Sequence, residues 1–174
     1  TTLFRSVVHV FRQGEVGPLH NPEFTMVEWY RTGDTPEQGM TFLSDLCDTM
    51  LGRGPAECVT YRTAFERHVG LDPLTAPTDA LVHRCHELRL AVPPGFAPDD
   101  RDTWLDFLLT ECVQAYLGYP RPAILHDYPA SQAMLAQVRD GDPPVAERFE
   151  LYVDGIELAN GYHELLDAAE LRRR

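Results

Sequence analysis

The chain has 174 residues, 44 % of them hydrophobic, enough apolar material to bury one substantial core. With 27 acidic and 15 basic side chains its formal net charge is −12, which excludes broad, nonspecific binding to DNA or RNA, since that needs surplus cations to displace phosphate counterions. No stretch approaches the roughly 20 apolar residues that span a bilayer and no signal peptide opens the sequence, so a cytoplasmic protein with no membrane partner is expected.

The opening residues alternate. Leu3, Arg5, Val7, His9 and Phe11 fall on one side and Phe4, Ser6, Val8, Val10 and Arg12 on the other, which predicts a strand. Gly14, Gly17, Pro18, Asn21 and Pro22 then mark a loop, and EFTMVEWYR resumes as a second strand, most simply antiparallel to the first. On that strand Phe24, Met26, Glu28 and Tyr30 share a face, because strand side chains repeat every two residues. DTPEQGMTFLSDLCDTMLGRG predicts a helix capped by Asp34 or Thr35 and ended by Gly52 or Gly54, with Met40, Leu43, Leu46, Cys47 and Met50 as its apolar stripe.

Residues 55–98 are mixed, with a short helix expected around TYRTAFERHVG, a turn at LDPLTAPTD and a helix through ALVHRCHELRL. PDDRDTWLDFLLTECVQAYLG predicts a helix apolar over more than half its surface, starting near Asp99 or Asp100. AILHDYP predicts a strand and SQAMLAQVR a short helix. ERFELYVDGIELANG is a hairpin about the tight turn Asp154–Gly155, and YHELLDAAELRRR begins a final helix with its arginines at the C-terminal end. Cys47, Cys58, Cys85 and Cys112 show no metal-binding spacing and are expected to be reduced and mostly buried.

Two segments carry more polarity than their predicted strands require. One contains Arg12, Glu23, Glu28 and Tyr30; the other, GIELANGYHEL, contains Glu157, Asn160 and Glu164. Each residue alone fits a solvent-facing sheet edge. Together, with Gly161 permitting close backbone approach, they point to a cleft with an anion-binding and a cation-binding end.

FRQGEVGPLHNPEFTMVEWYR resembles the second signature motif of class II aminoacyl-tRNA synthetases in its lysine-specific form, and GIELANGYHEL resembles that subclass's downstream ATP- and lysine-binding segment. With PASQAMLAQV, RDTWLDFLL and VAERFELYVDGIELANGYHEL, the chain is similar over nearly its whole length to the lysyl-tRNA synthetase paralogues that attach (R)-β-lysine to elongation factor P. The resemblance implies an α+β fold, a class II antiparallel sheet flanked by helices, incomplete here. Residues 1–174 are then part of one catalytic domain, since the first and third class II motifs are not among them, and little activity is expected of them alone.

It also implies roles. Arg12 would bind the α-phosphate and the substrate carboxylate, with Gln13, Glu15, His20 and Asn21 around the nucleotide and Phe24 stacked on adenine. Glu157 and Leu158 would contact ATP, Glu157 holding Mg2+ against the phosphates. Glu28, Tyr30, Asn160, Tyr162 and Glu164 would line the pocket for lysine or (R)-β-lysine, a doubly aminated substrate that two carboxylates suit. Elongation factor P is the implied acceptor, not tRNA or DNA, and a homodimer the implied full-length assembly. Lysyl-tRNA synthetase and a non-catalytic regulatory paralogue are the alternatives. The chain departs from the family pattern at Gly14, where a glutamate is usual and Glu15 follows, and at Tyr162, where a phenylalanine is more common.

Overall fold

The computed structural model describes the backbone from Thr2 and the side chains from Arg5 through Arg174, so the expectations for the Leu3 and Phe4 side chains fall outside the described residues. The chain divides into two compact units, at Thr35 and Pro36.

The first unit is a ribbon. Strands β1 (Thr2–Phe11) and β2 (Glu23–Arg31) pair antiparallel, with Val7 opposite Val27 and Val10 opposite Phe24. The intervening loop is closed by Arg12 N–H donating to the Pro22 carbonyl at 2.9 Å. None of its described side chains is buried, and Val7 and Phe11 are 70 % and 73 % exposed.

In the second unit, helix α1 (Pro36–Leu51) buries Met40, Leu43, Ser44 and Cys47, and Gly52, at φ 62°, ends it in the left-handed conformation expected of a glycine after a helix. Met50, expected in the apolar stripe, is instead 74 % exposed. It lies in the last turn, beyond the part of α1 that packs on the sheet.

A five-stranded sheet runs β3 (Glu57–Thr60), β4 (Ala123–Pro129), β6 (Val145–Val153) and β5 (Val138–Arg139), with β7 (Ile156–Tyr162) also on β6. β3, which the sequence reading left unassigned, pairs parallel to β4, whereas β4, β5 and β7 each meet β6 antiparallel. Helices α2 (Tyr61–His68), α3 (Thr78–Glu87) and α4 (Arg101–Leu108) bring Tyr61, Phe65, Leu81, Trp104, Leu105 and Leu108 against Leu125, Tyr128 and Tyr152 to form the main core. Asp100 caps α4 by accepting from Thr103 N–H at 3.3 Å. The expected long helix is shorter than its apolar pattern: α4 passes into a π-helical turn (Leu109–Val113) and a 3-10 turn (Gln114–Tyr116).

Two further expectations are corrected. SQAMLAQVR is not a helix but a 3-10 turn (Ala130–Gln132) followed by β5. Met134 takes φ 48°, and Gln137 N–H donates to the His163 carbonyl at 2.7 Å, so the segment's donors serve a neighbouring strand rather than a helix. The C-terminal helix does not begin at Tyr162. Residues 163–165 continue β7 in extended form, held by His163 N–H on Glu147 O (2.9 Å) and Leu165 N–H on Leu135 O (2.7 Å), and α5 (Ala168–Arg173) starts at its Asp167 cap. The four cysteines are free thiols, Cys47 and Cys85 buried but Cys58 exposed, so the expectation of burial holds only in part.

Candidate active site

The site residues named from the sequence divide between the two units. On the ribbon, Arg12 lies where β1 enters the loop, its guanidinium 5.1 Å from the Phe24 ring centroid. Its Nη1 donates to both carboxylate oxygens of Glu15, at 3.4 and 3.5 Å. Glu15, the residue after the atypical Gly14, is thus turned back toward the arginine. Gly14 itself has φ 84°, a conformation in which glycine is favoured. Gln13, His20 and Asn21 are exposed in the loop. Glu28 accepts from Ser6 Oγ at 3.2 Å across the ribbon, while Tyr30, two residues along the same face, is exposed. With 52 % of its side chain exposed, Arg12 keeps its charge available to an incoming anion.

Asp154 and Gly155, at φ 52° and 76°, form the two-residue turn that sets the register of β6 against β7. It places Glu150 opposite Asn160, Arg148 opposite Tyr162 and Tyr152 opposite Glu157, with one irregularity between Leu151 and Tyr152. Gly161 is required on the other face: a Cβ there would lie 2.3 Å from Cε2 of Phe149. The close approach anticipated at this glycine is made by an aromatic ring of the protein itself.

Around these residues lies a buried polar network that the sequence reading missed. Glu150, 3 % exposed, accepts from the hydroxyls of Tyr128 (2.5 Å) and Tyr152 (2.6 Å) and from Arg148 Nη2. Arg148 also donates from Nη1 to the Gln132 carbonyl (3.2 Å) and from Nε to Asn160 Oδ1 (3.4 Å), its guanidinium 4.5 Å from the Tyr128 ring centroid. Burial, then the Glu150 charge, pushes both tyrosine hydroxyls well above the ordinary phenol range, so they stay protonated and act as donors. Burial works against the Arg148 cation, but Glu150 overcomes it and the guanidinium is held more firmly charged than usual. A charged pair two residues apart on one face of the strongest predicted strand was the available signal.

Tyr162 marks where these groups meet. Its hydroxyl is raised first by burial and then feels Arg148 as a lowering charge and Glu150, Glu157 and Glu164 as raising ones. Glu164 follows on the extended continuation of β7, fixed through its backbone: Gln137 Nε2 donates to the Glu164 carbonyl at 3.0 Å, and His163 Nδ1 lies 2.5 Å from Glu147 Oε2. The Glu164 carboxylate itself has neither a hydrogen bond nor an ion pair among the described residues, and burial raises its pKa. Glu157 and Leu158 lie exposed on β7. Magnesium fits here only as a companion of a nucleotide. Among the described residues no three His, Cys, Asp or Glu side chains form a metal cage, and this ion takes one or two carboxylates plus phosphate oxygens.

The ribbon carries Arg12 beside Phe24, and the other unit, a five-stranded sheet packed with helices, carries Glu157 and Asn160 on β7. The sequence model of class II tRNA synthetases (D, K and N) matches residues 4–174, and the chain belongs to that family. Within it, the chain is 45 % identical over 165 residues to an elongation factor P–(R)-β-lysine ligase of Histophilus somni, covering 95 % of this chain and 50 % of that protein. Proteins of the same name from Mannheimia succiniciproducens (44 % over 164 residues) and Salmonella heidelberg (45 % over 164 residues) match over 94 % of this chain and 50 % of theirs. The chain therefore spans half the length of the curated relatives it matches. No helix among the described residues is long and apolar enough to cross a membrane.

Proposed function

We propose that the protein activates a lysine, (R)-β-lysine in particular, with ATP and transfers it to a lysine side chain of elongation factor P, residues 1–174 being part of its class II catalytic domain. The substrate carboxylate attacks the α-phosphorus and pyrophosphate leaves. The acceptor's amine then attacks the carbonyl of the aminoacyl-adenylate and AMP leaves with the bonding pair. In this reading Arg12 neutralises the carboxylate and α-phosphate as they meet, with Gln13, Glu15, His20, Asn21, Phe24 and Leu158 around the nucleotide. Magnesium, held at Glu157, supplies charge neutralisation on the phosphates. Glu28, Tyr30, Asn160, Tyr162 and Glu164 take the amino acid. No side-chain nucleophile is needed, because positioning and electrostatics supply the acceleration.

The observation that carries this reading is Glu164: a half-buried carboxylate beside Tyr162, with no cation paired to it among the described residues. A half-buried, unpaired carboxylate of this kind favours an ammonium from outside. The chain contains no lysine, every cation being arginine, so no side chain in it competes with the acceptor for the adenylate.

The test supplies the full-length gene product with ATP, labelled β-lysine, elongation factor P and tRNA. Label on elongation factor P is expected. Label on tRNA alone would make the protein a lysyl-tRNA synthetase, and amino-acid binding without pyrophosphate exchange would make it a regulatory module.

A further inference from the structure

The β3 edge of the five-stranded sheet carries a small polar cavity. Its volume is about 40 Å3, and its polar lining is Glu57 on β3, Arg67 and His68 at the end of α2, and Tyr116, Tyr119 and Arg121 in the segment leading into β4. Two strands, β4 and β6, separate β3 from β7, so the cavity is distinct from the candidate residues on β7. Most arginines of this acidic chain hold a carboxylate, as Arg53 does Asp154 and Arg84 does Glu87. Arg67 and Arg121 have neither a hydrogen bond nor an ion pair among the described residues, and both line this cavity. The dipole of α2 favours a cation in its last turn, which accounts for Arg67 but not for Arg121, which lies outside any helix.

The walls are held in place. The His68 ring stacks on Tyr116 with centroids 4.7 Å apart and 8° between planes. Gly118, at φ 83°, lets the chain lie against the β6–β7 turn. There Asp154 N–H donates to Gly118 O (3.1 Å), Gly155 N–H to Leu117 O (2.9 Å) and the Tyr119 hydroxyl to Asp154 O (2.8 Å). One water takes about 10–15 Å3 of such space, so the cavity admits a small polyatomic group and not a nucleobase.

We propose that this cavity binds a phosphoryl group, either inorganic phosphate or the terminal phosphate of a larger molecule, between the Arg67 and Arg121 guanidiniums and against the His68 ring. Each guanidinium offers a planar fork of donors that matches phosphate oxygens. The two arginines less the Glu57 carboxylate leave one net positive charge, and a phosphate dianion completes the balance by drawing a proton from solvent onto His68. A single carboxylate needs no such proton. Without ligand, burial and then the Arg67 charge lower the His68 pKa; a dianion opposes both, so the ring reports occupancy.

The experiment titrates the full-length protein, its histidine rings labelled with carbon-13, with inorganic phosphate, phosphoserine and acetate at constant ionic strength. It reads the His68 nuclear magnetic resonance signal, assigned by its loss in His68→Gln. The expected result is saturable phosphate binding with a rise in the His68 pKa, weakened about tenfold in Arg67→Ala and in Arg121→Ala, the scale of one charge-assisted hydrogen bond. Should one of these variants not fold, the other carries the same expectation. Arg12→Ala, in the proposed nucleotide site, and Arg172→Ala, an exposed arginine on α5, should bind phosphate as the wild type does. Equal binding of phosphoserine assigns a terminal phosphate and its exclusion assigns the free ion; either supports the proposal. Acetate binding as tightly as phosphate, an equal loss in Arg172→Ala, a loss confined to Arg12→Ala, or no saturation overturns it, and none of these results bears on the ligase reading.

Discussion

The ribbon and the β6–β7 pair present their functional side chains in opposite ways. Arg12, Gln13, His20, Asn21 and Tyr30 stand on a two-stranded hairpin with no buried described side chain, and among the described residues the Arg12 guanidinium meets only the nearby Glu15 carboxylate and Phe24 ring. Asn160, Tyr162 and Glu164 stand against a strand whose neighbours are almost wholly buried and whose polar groups are interlocked. A two-stranded hairpin alone is marginal in water. In the sheet, by contrast, Glu150 ties Arg148 to the Tyr128 and Tyr152 hydroxyls. The ribbon's candidate groups are thus held loosely, and those of the β6–β7 pair stand beside a buried polar network.

The sharpest way to break this contrast is to remove the anchor on the rigid side. Glu150→Ala leaves Arg148 buried without its carboxylate, and urea unfolding should show a loss of about 3–5 kcal/mol, the scale for one partner of a buried pair. A loss under about 1 kcal/mol would mean that the network does not hold the sheet. On the adaptable side the expectation reverses. Arg12→Ala should leave the unfolding midpoint unchanged yet slow pyrophosphate exchange by about 100- to 1,000-fold, as removal of a preorganised donor does; a shifted midpoint with near-normal exchange would show the roles exchanged.

A smaller effect sharpens the comparison. Glu164→Gln should raise the KM for the amino acid about tenfold or more, with little change in the KM for ATP. In the wild type, burial raises this carboxyl, and ammonium binding needs its ionised form. Amino-acid affinity should therefore fall with pH through a value above the ordinary carboxylate range, and the Gln variant should lack that limb. Linkage sets the accompanying stability change. The folded state holds the proton more tightly than the unfolded state, so without ligand this group lowers stability above its raised pKa and the loss recovers as pH falls through it. Identical pH profiles for wild type and variant would remove Glu164 from the amine-binding role.

Much of this was legible in the residue pattern, for reasons of periodicity. Alternation gave β1, β2 and the β6–β7 hairpin, AILHDYP was expected as a strand, and turn chemistry at Asp154–Gly155 fixed the hairpin locally. The failures share a cause: β3, β5 and the extended run 163–165 are short segments whose hydrogen bonds go to partners distant in sequence, such as Glu57 N–H to Pro122 O at 2.8 Å. Local propensity carries no record of them. SQAMLAQVR has helix-forming residues and still becomes a turn and a strand, because its backbone donors find a better-placed partner in the continuation of β7.

The sequence by itself determined the family, the two polar segments and the chemistry that each side chain can offer, since those depend on residue type and near-neighbour spacing. Only the tertiary structure decided that Arg148 and Glu150 stand behind Asn160, that Phe149 closes the space over Gly161, and that the half-buried Glu164 carboxylate is unpaired among the described residues. Those depend on strand register and burial, which bring together groups from β4, β6 and β7 and set the local dielectric, and no spacing along one strand encodes them.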